Sequence, residues 1–95
     1  MAGTQQKIIL YALLSCPYCR RLKEYLDDKG INYDLILVDL LTGEERTSAL
    51  DNLKQKNPAL SFPTLIIGNR VIVGFQPKEV DNTLNKVGTV RDSIG

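Results

Sequence analysis

Between Lys7 and Gly30 the chain changes its hydrophobic period with no linker in between. KIILYAL (residues 7–13) is a continuous apolar run of strand length, the pattern of a central strand buried on both faces. SCPYC follows, and from Cys19 onward the apolar positions recur at steps of three and four. Cys19, Leu22 and Leu26 share one helical stripe, while Arg20, Arg21, Lys23, Glu24, Asp27 and Asp28 fall mostly elsewhere. Pro17 suits the first helical position, because the N–H it lacks has no helical partner there. Gly30 is a fitting C-terminal stop. A strand feeding directly into a helix predicts a second strand parallel to the first, reached by a right-handed crossover.

The rest of the chain supplies that strand and more. NYDLILVDL (32–40) reads as the second strand, and TGEERTSALDNLKQKN (42–57) as a second helix ended by Pro58. Thr42 and Glu45 have the spacing of a capping box, in which each side chain satisfies one orphan N–H of the first turn. The apolar stripe Ala49, Leu50, Leu53 is thin, so this helix is expected to be half exposed. TLIIGNRVIV (64–73) is two β-rich runs around Gly68-Asn69, a two-residue hairpin signal. In GFQPKEVDNTLNKVG, Pro77 opens a last helix, Val80, Leu84 and Val87 form its stripe, and Gly88 ends it. The polar tail after Gly88 is expected to fray. The order β-α-β-α-β-β-α predicts an α/β fold, a mixed four-stranded sheet with three helices on its two faces. No repeat, low-complexity stretch or linker interrupts the 95 residues, which read as a single domain, 1–95.

Charge excludes some partners. Twelve Lys+Arg stand against eleven Asp+Glu, with no basic block, so no nucleic-acid partner is expected. No run approaches the ~18 apolar residues of a membrane span. The early apolar run lacks the long charged region and small-residue cleavage site of a secretory signal. A disulfide-stapled secreted domain would spread several cysteines along the chain, whereas here both lie in one window. A soluble cytoplasmic protein, working as a monomer, is the expectation.

Three readings of Cys16 and Cys19 compete. A structural zinc site needs about four ligands, usually Cys or His. The chain has no histidine and no second cysteine pair, so no metal is expected. A bland pair of buried thiols suits Cys19, on the apolar stripe, but not Cys16, in the turn where the helix begins. The third reading is redox. The thiolate is the attacking species, and a free thiol with pKa about 8.5 is mostly protonated at neutral pH. Unpaired N–H groups and the positive end of the helix dipole favour the thiolate of Cys16. Cys19, one turn on, is placed to resolve a mixed disulfide. A Cys-x-x-Cys beside a β-α-β pattern makes this the preferred reading. Arg20 and Arg21 are either further support for the thiolate or a solvated helix face. Tyr18 is either a contact surface over the sulfur or a half-exposed aromatic. Pro63 in SFPT is either a trans strand-entry proline or a cis proline beside a backbone edge that pairs with an incoming peptide.

On these residues the chain, from about Lys7 to Val87, resembles the glutaredoxin family within the thioredoxin fold. Cys16-Pro17-Tyr18-Cys19 matches the family's dithiol motif, Pro63 stands at its cis proline, and Gly74 at a glycine after the fourth strand. The resemblance implies a dithiol–disulfide oxidoreductase in which Cys16 is the nucleophile and Cys19 the resolving thiol. Tyr18, Phe62, Pro63, Gly74 and Phe75 would contact the substrate. It implies protein or small-molecule disulfides as substrates, disulfide-containing proteins as partners and a disulfide reductase as electron donor, with no tightly bound cofactor. The departures bear on glutathione. Leu13 stands where glutathione-using members usually carry lysine, Ser61-Phe62 where they have Thr-Val, and Gly74-Phe75-Gln76-Pro77 where a Gly-Gly segment leads to an aspartate. Glutathione is therefore expected to bind weakly. The GFQP segment looks more like the glutaredoxin-like redoxins that serve ribonucleotide reductase and draw electrons from a thioredoxin-reductase-type flavoprotein. The alternative is an iron–sulfur cluster protein, with Cys16 bridging two chains as some single-cysteine glutaredoxins do. Pro17 and the weakened glutathione site argue against it.

Overall fold

The computed structural model describes residues 7–87. Gly88 and the polar tail lie outside the described residues, as does the side chain of Val87. In chain order the elements are β1 (Ile8–Ala12), α1 (Pro17–Asp28), β2 (Asp34–Leu37), α2 (Gly43–Lys56), β3 (Thr64–Ile67), β4 (Arg70–Val73) and α3 (Pro77–Val87). The strands form one sheet in the order β2-β1-β3-β4. β1 and β2 are parallel, with Ala12 opposite Leu37, and the other two pairings are antiparallel.

Strand alternation sorts the apolar side chains onto two faces. Ile8, Leu10 and Ala12 of β1, with Leu65, Ile67 and Ile72, meet Cys19, Leu22 and Leu26 of α1 and Val80 and Leu84 of α3. On the opposite face Tyr11 and Ile66 meet Val38 and the α2 residues Ala49 and Leu53. Fully burying one such aliphatic side chain contributes about 1.5–3 kcal/mol. β1 and β3 lie in the middle of the sheet, which is why their sequences are nearly unbroken apolar runs.

α1 ends as its sequence predicts. Ile31 N–H donates to Leu26 O (3.1 Å) and Gly30 N–H to Asp27 O (3.0 Å), the paired closing bonds of a Schellman motif. The hairpin turns at Gly68 (φ 58°), with Ile67 opposite Arg70. Two local expectations fail. The second strand is shorter than 32–40, because β2 is an edge strand paired only with β1, and after Leu37 the chain coils into a 3-10 turn, Val38–Leu40. The capping box does not form: Thr42 makes no side-chain cap bond. Gly43 enters the helix at φ +57°, so the first turn is not approached with the backbone that a capping box requires. Two acidic residues, Glu44 and Glu45, occupy that first turn instead, where the helix dipole favours them.

Candidate active site

Cys16 is the N-cap of α1 (φ −85°, ψ 116°), with Pro17 behind it at the first helical position. Its N–H donates to Leu13 O (3.2 Å), and its Sγ accepts the Cys19 N–H at 3.2 Å. The sulfur therefore sits at the N-terminus of α1 within hydrogen-bond reach of a first-turn backbone N–H. Cys16 is half-buried and both thiols are free. Cys19 is buried in the apolar cluster under α1. Burial first, then its hydrogen bond to Cys16, pushes its thiol up to about 12. The two sulfurs thus sit one helical turn apart in opposite environments.

A second strand-to-loop junction, the one that opens β3, contributes Phe62 to the same core cluster that Cys16 packs against. The Phe62–Pro63 peptide bond is cis. Pro63 is fully buried, and its carbonyl accepts the Gly74 N–H at 2.8 Å. Gly74 has φ +85° with nothing within 4 Å of where a Cβ would stand, so backbone conformation rather than space calls for glycine there. Phe62, Phe75 and Cys16 all pack at the rim of the same cluster. Tyr18 stands 61% exposed beside Cys16, which makes it available as a contact surface. Of the seven residues singled out from the sequence, Cys16 with Cys19 and Pro63 with Gly74 are joined by hydrogen bonds. Phe62 and Phe75 border them, and Tyr18 projects outward.

Three supporting groups are absent from the sequence reading. Asp39, in the 3-10 turn, accepts the Leu14 N–H on both carboxylate oxygens (3.1 and 3.0 Å), which ties the loop before Cys16 to the end of β2. Asn57, the buried C-cap of α2, donates to Thr64 Oγ1 (2.9 Å) and Ser61 Oγ (3.1 Å), while its Oδ1 accepts the Ala59 N–H (3.3 Å). These bonds hold the segment that carries Phe62 and Pro63, including Leu60 at φ +54°. The Asn-Pro dipeptide after α2 was the available signal, since it favours turn initiation. Tyr25 stacks edge-on against Phe75 (6.2 Å between centroids), and its hydroxyl donates to Asp81 (2.6 Å). Asp81 also pairs with Lys29 at 3.3 Å.

Two expected outcomes follow here. Asn57→Ala leaves the Thr64 and Ser61 oxygens and the Ala59 N–H without their partner. It is expected to destabilise the fold by about 1–3 kcal/mol in urea titration. Stability is also expected to fall as pH rises above about 9. Burial raises Cys19 and Tyr33 to about 12, and raises Tyr11 and Tyr25 as well, with Asp27 adding to Tyr33 and Asp81 to Tyr25. The unfolded chain therefore releases these protons at lower pH than the folded chain, which binds more protons across that alkaline window. Urea midpoints at pH 8, 10 and 11 test this, and a constant midpoint contradicts it.

A four-stranded mixed sheet flanked by helices, with a dithiol pair opening the first helix, defines a thioredoxin-like redox domain. The glutaredoxin family model matches residues 8–72. Glutaredoxin 1 of Rickettsia typhi is 37% identical over 83 residues, covering 84% of this chain and 77% of that protein. The methanoredoxin of Methanosarcina acetivorans has a TM-score of 0.80 at 37% identity, over 84% of this chain and 85% of that one. The NrdH-redoxin of Escherichia coli, described as a glutaredoxin-like protein with a thioredoxin-like activity profile, shares the fold. Its TM-score is 0.63 at 19% identity, over 93% of this chain and 99% of that one. The chain belongs to the glutaredoxin family. It is, in general terms, a thiol–disulfide oxidoreductase, of a family that acts on disulfide substrates with a reductase as donor.

Proposed function

We propose that this chain reduces protein disulfides through Cys16 and Cys19 and is itself reset by a flavoprotein disulfide reductase rather than by glutathione. The observation that carries the exchange step is the contrast between the sulfurs: Cys16 Sγ half-exposed and receiving the Cys19 N–H, Cys19 buried and pushed up to about 12. Cys16 thiolate attacks one sulfur of the substrate disulfide, forming a mixed disulfide and releasing the other sulfur as a thiolate. Cys19 loses its proton and attacks Cys16 Sγ. The Cys16–Cys19 disulfide forms, and the second substrate thiolate leaves. Two electrons pass from the pair to the substrate, and the donor returns two. The backbone of half-buried Phe62, just before buried Pro63, is the edge along which an extended substrate segment pairs.

Glutathione carries two carboxylates and one ammonium, and the side chains that would hold them fit it poorly. Leu13 supplies no charge. Gln76 donates its amide to Val73 O at 2.6 Å. Asp81, an acid near that loop, is engaged by Tyr25 and Lys29. Arg70 pairs with Glu79 at 2.7 Å, which leaves Lys78 as the exposed cation of the segment. Each missing partly exposed charge pair is worth up to about 1 kcal/mol, so losing two weakens binding by up to roughly thirtyfold. The test compares reduction of the oxidised protein by glutathione with its reductase and by a thioredoxin-reductase-type flavoprotein. The flavoprotein is expected to be at least about tenfold faster. Leu13→Lys is expected to raise the glutathione rate and leave the flavoprotein rate nearly unchanged. Fast turnover with millimolar glutathione, accompanied by glutathione bound to Cys16 in the Cys19→Ser protein, overturns the donor assignment.

A further inference from the structure

Beside the dithiol, between α1 and the edge strand β2, lies a groove of about 170 Å3. Ala12, Leu13, Leu14, Leu35 and Leu37 form its apolar lining, and Arg20 and Lys23 of α1 line it as well. It reaches inward as far as Cys19. Two of the lining leucines are unusually open to water for their type: Leu14 is 58% exposed and Leu35 38%. The cations differ. Lys23 pairs with Asp27 at 2.9 Å, whereas among the described residues Arg20 has no carboxylate within 4 Å. Asp39, the acid nearest the loop, does not line the groove, and both its oxygens are taken by the Leu14 N–H.

Size decides what this groove can hold. Whole cofactors and drug-sized ligands occupy roughly 300–1,000 Å3. A cavity of about 150 Å3 takes one benzene-sized body. The groove therefore matches one large apolar side chain, and its unpaired Arg20 matches a neighbouring carboxylate. We propose that the groove is a docking site for the disulfide-bearing protein partner, taking one leucine- or phenylalanine-sized side chain with an acidic residue beside it on Arg20. The proposal rests on the reading of Cys16 as the attacking thiol. Cys19 and Arg20 lie about one helical turn from Cys16, some 5 Å along the axis, which an extended peptide covers in about two residues. The anchor therefore falls two or three residues from the substrate cysteine. Burying one apolar anchor in a pocket ringed by weaker contacts is the way protein partners usually gain most of their affinity.

The experiment uses peptides whose single cysteine is joined by a disulfide to 2-mercaptoethanol. Leu-Asp, Leu-Lys or Gly-Asp is placed two or three residues to either side of that cysteine. Bis(2-hydroxyethyl) disulfide serves as a substrate with no anchor. The wild-type protein is expected to reduce the best-placed Leu-Asp peptide roughly three- to tenfold faster, in kcat/KM, than its Leu-Lys and Gly-Asp counterparts. Arg20→Gln is expected to erase the preference for Asp over Lys, and Leu35→Gln the preference for Leu over Gly. Each is judged as a ratio of two peptides on one variant, so any common change at Cys16 cancels. Equal rates for all peptides at every placement, with bis(2-hydroxyethyl) disulfide reduced normally, overturn the docking site alone. Failure to reduce any of these disulfides overturns the reading of Cys16 and the docking site with it. Peptide-independent rates together with a concentration-dependent dimer that Leu35→Gln abolishes would assign the groove to a second copy of the chain and overturn the proposal.

Discussion

Cys16→Ser is expected to bring disulfide reduction down to the uncatalysed background, a loss of about a thousandfold or more. A serine hydroxyl at the same N-cap keeps the hydrogen bond from the Cys19 N–H, so α1 begins as before. The nucleophile disappears, because a hydroxyl does not ionise near neutral pH and cannot form a disulfide. Cys19 cannot take over. It is 3% exposed, and burial holds its thiol protonated near neutral pH, so it supplies no thiolate in place of Cys16. A stopped assay with a protein disulfide, run beside a thermal melt, separates loss of chemistry from loss of fold. Retention of more than a few per cent of activity at an unchanged melting temperature would contradict the assignment.

Cys19→Ser is expected to do the reverse: capture without release. Cys16 still attacks, but nothing intramolecular displaces the substrate, so one substrate thiol per chain accumulates on Cys16. Reduction of protein disulfides then waits for an external thiol and falls by about a hundredfold, since the intramolecular thiol of the wild type has a large effective concentration. Intact-mass measurement after a brief incubation with excess disulfide is expected to show a single adduct, removed by dithiothreitol. Wild-type protein under the same conditions is expected to show only the loss of two hydrogens. A Cys19→Ser protein with full turnover and no adduct would mean that Cys19 has no part in the reaction.

Much of this site could be read from the residues in order. The change of period at Cys16, the helix-start proline Pro17 and the stripe Cys19, Leu22, Leu26 are local signals, and each corresponds to an observed contact. The hairpin at Gly68-Asn69 is equally local. The features that escaped depend on partners distant in sequence or on one backbone angle. Asp39 reaches Leu14 across 25 positions, and Tyr25 reaches Asp81 across 56, so no periodicity announces either bond. The length of β2 depends on having a neighbour on one side only, which apolar content cannot report. The Thr42–Glu45 spacing satisfied a rule that the positive φ of Gly43 set aside. Asn57 is polar and follows an exposed helix end, and what makes it matter is that it is 6% exposed.

The division of labour between the two sulfurs is tested most directly by alkylating the fully reduced protein at neutral pH with less than one equivalent of iodoacetamide and locating the label by peptide mass. The account expects the label on Cys16, with Cys19 modified only at strongly alkaline pH or after unfolding, because burial holds its thiol at about 12. Labelling of both cysteines at equal rates, or of Cys19 first, would contradict it.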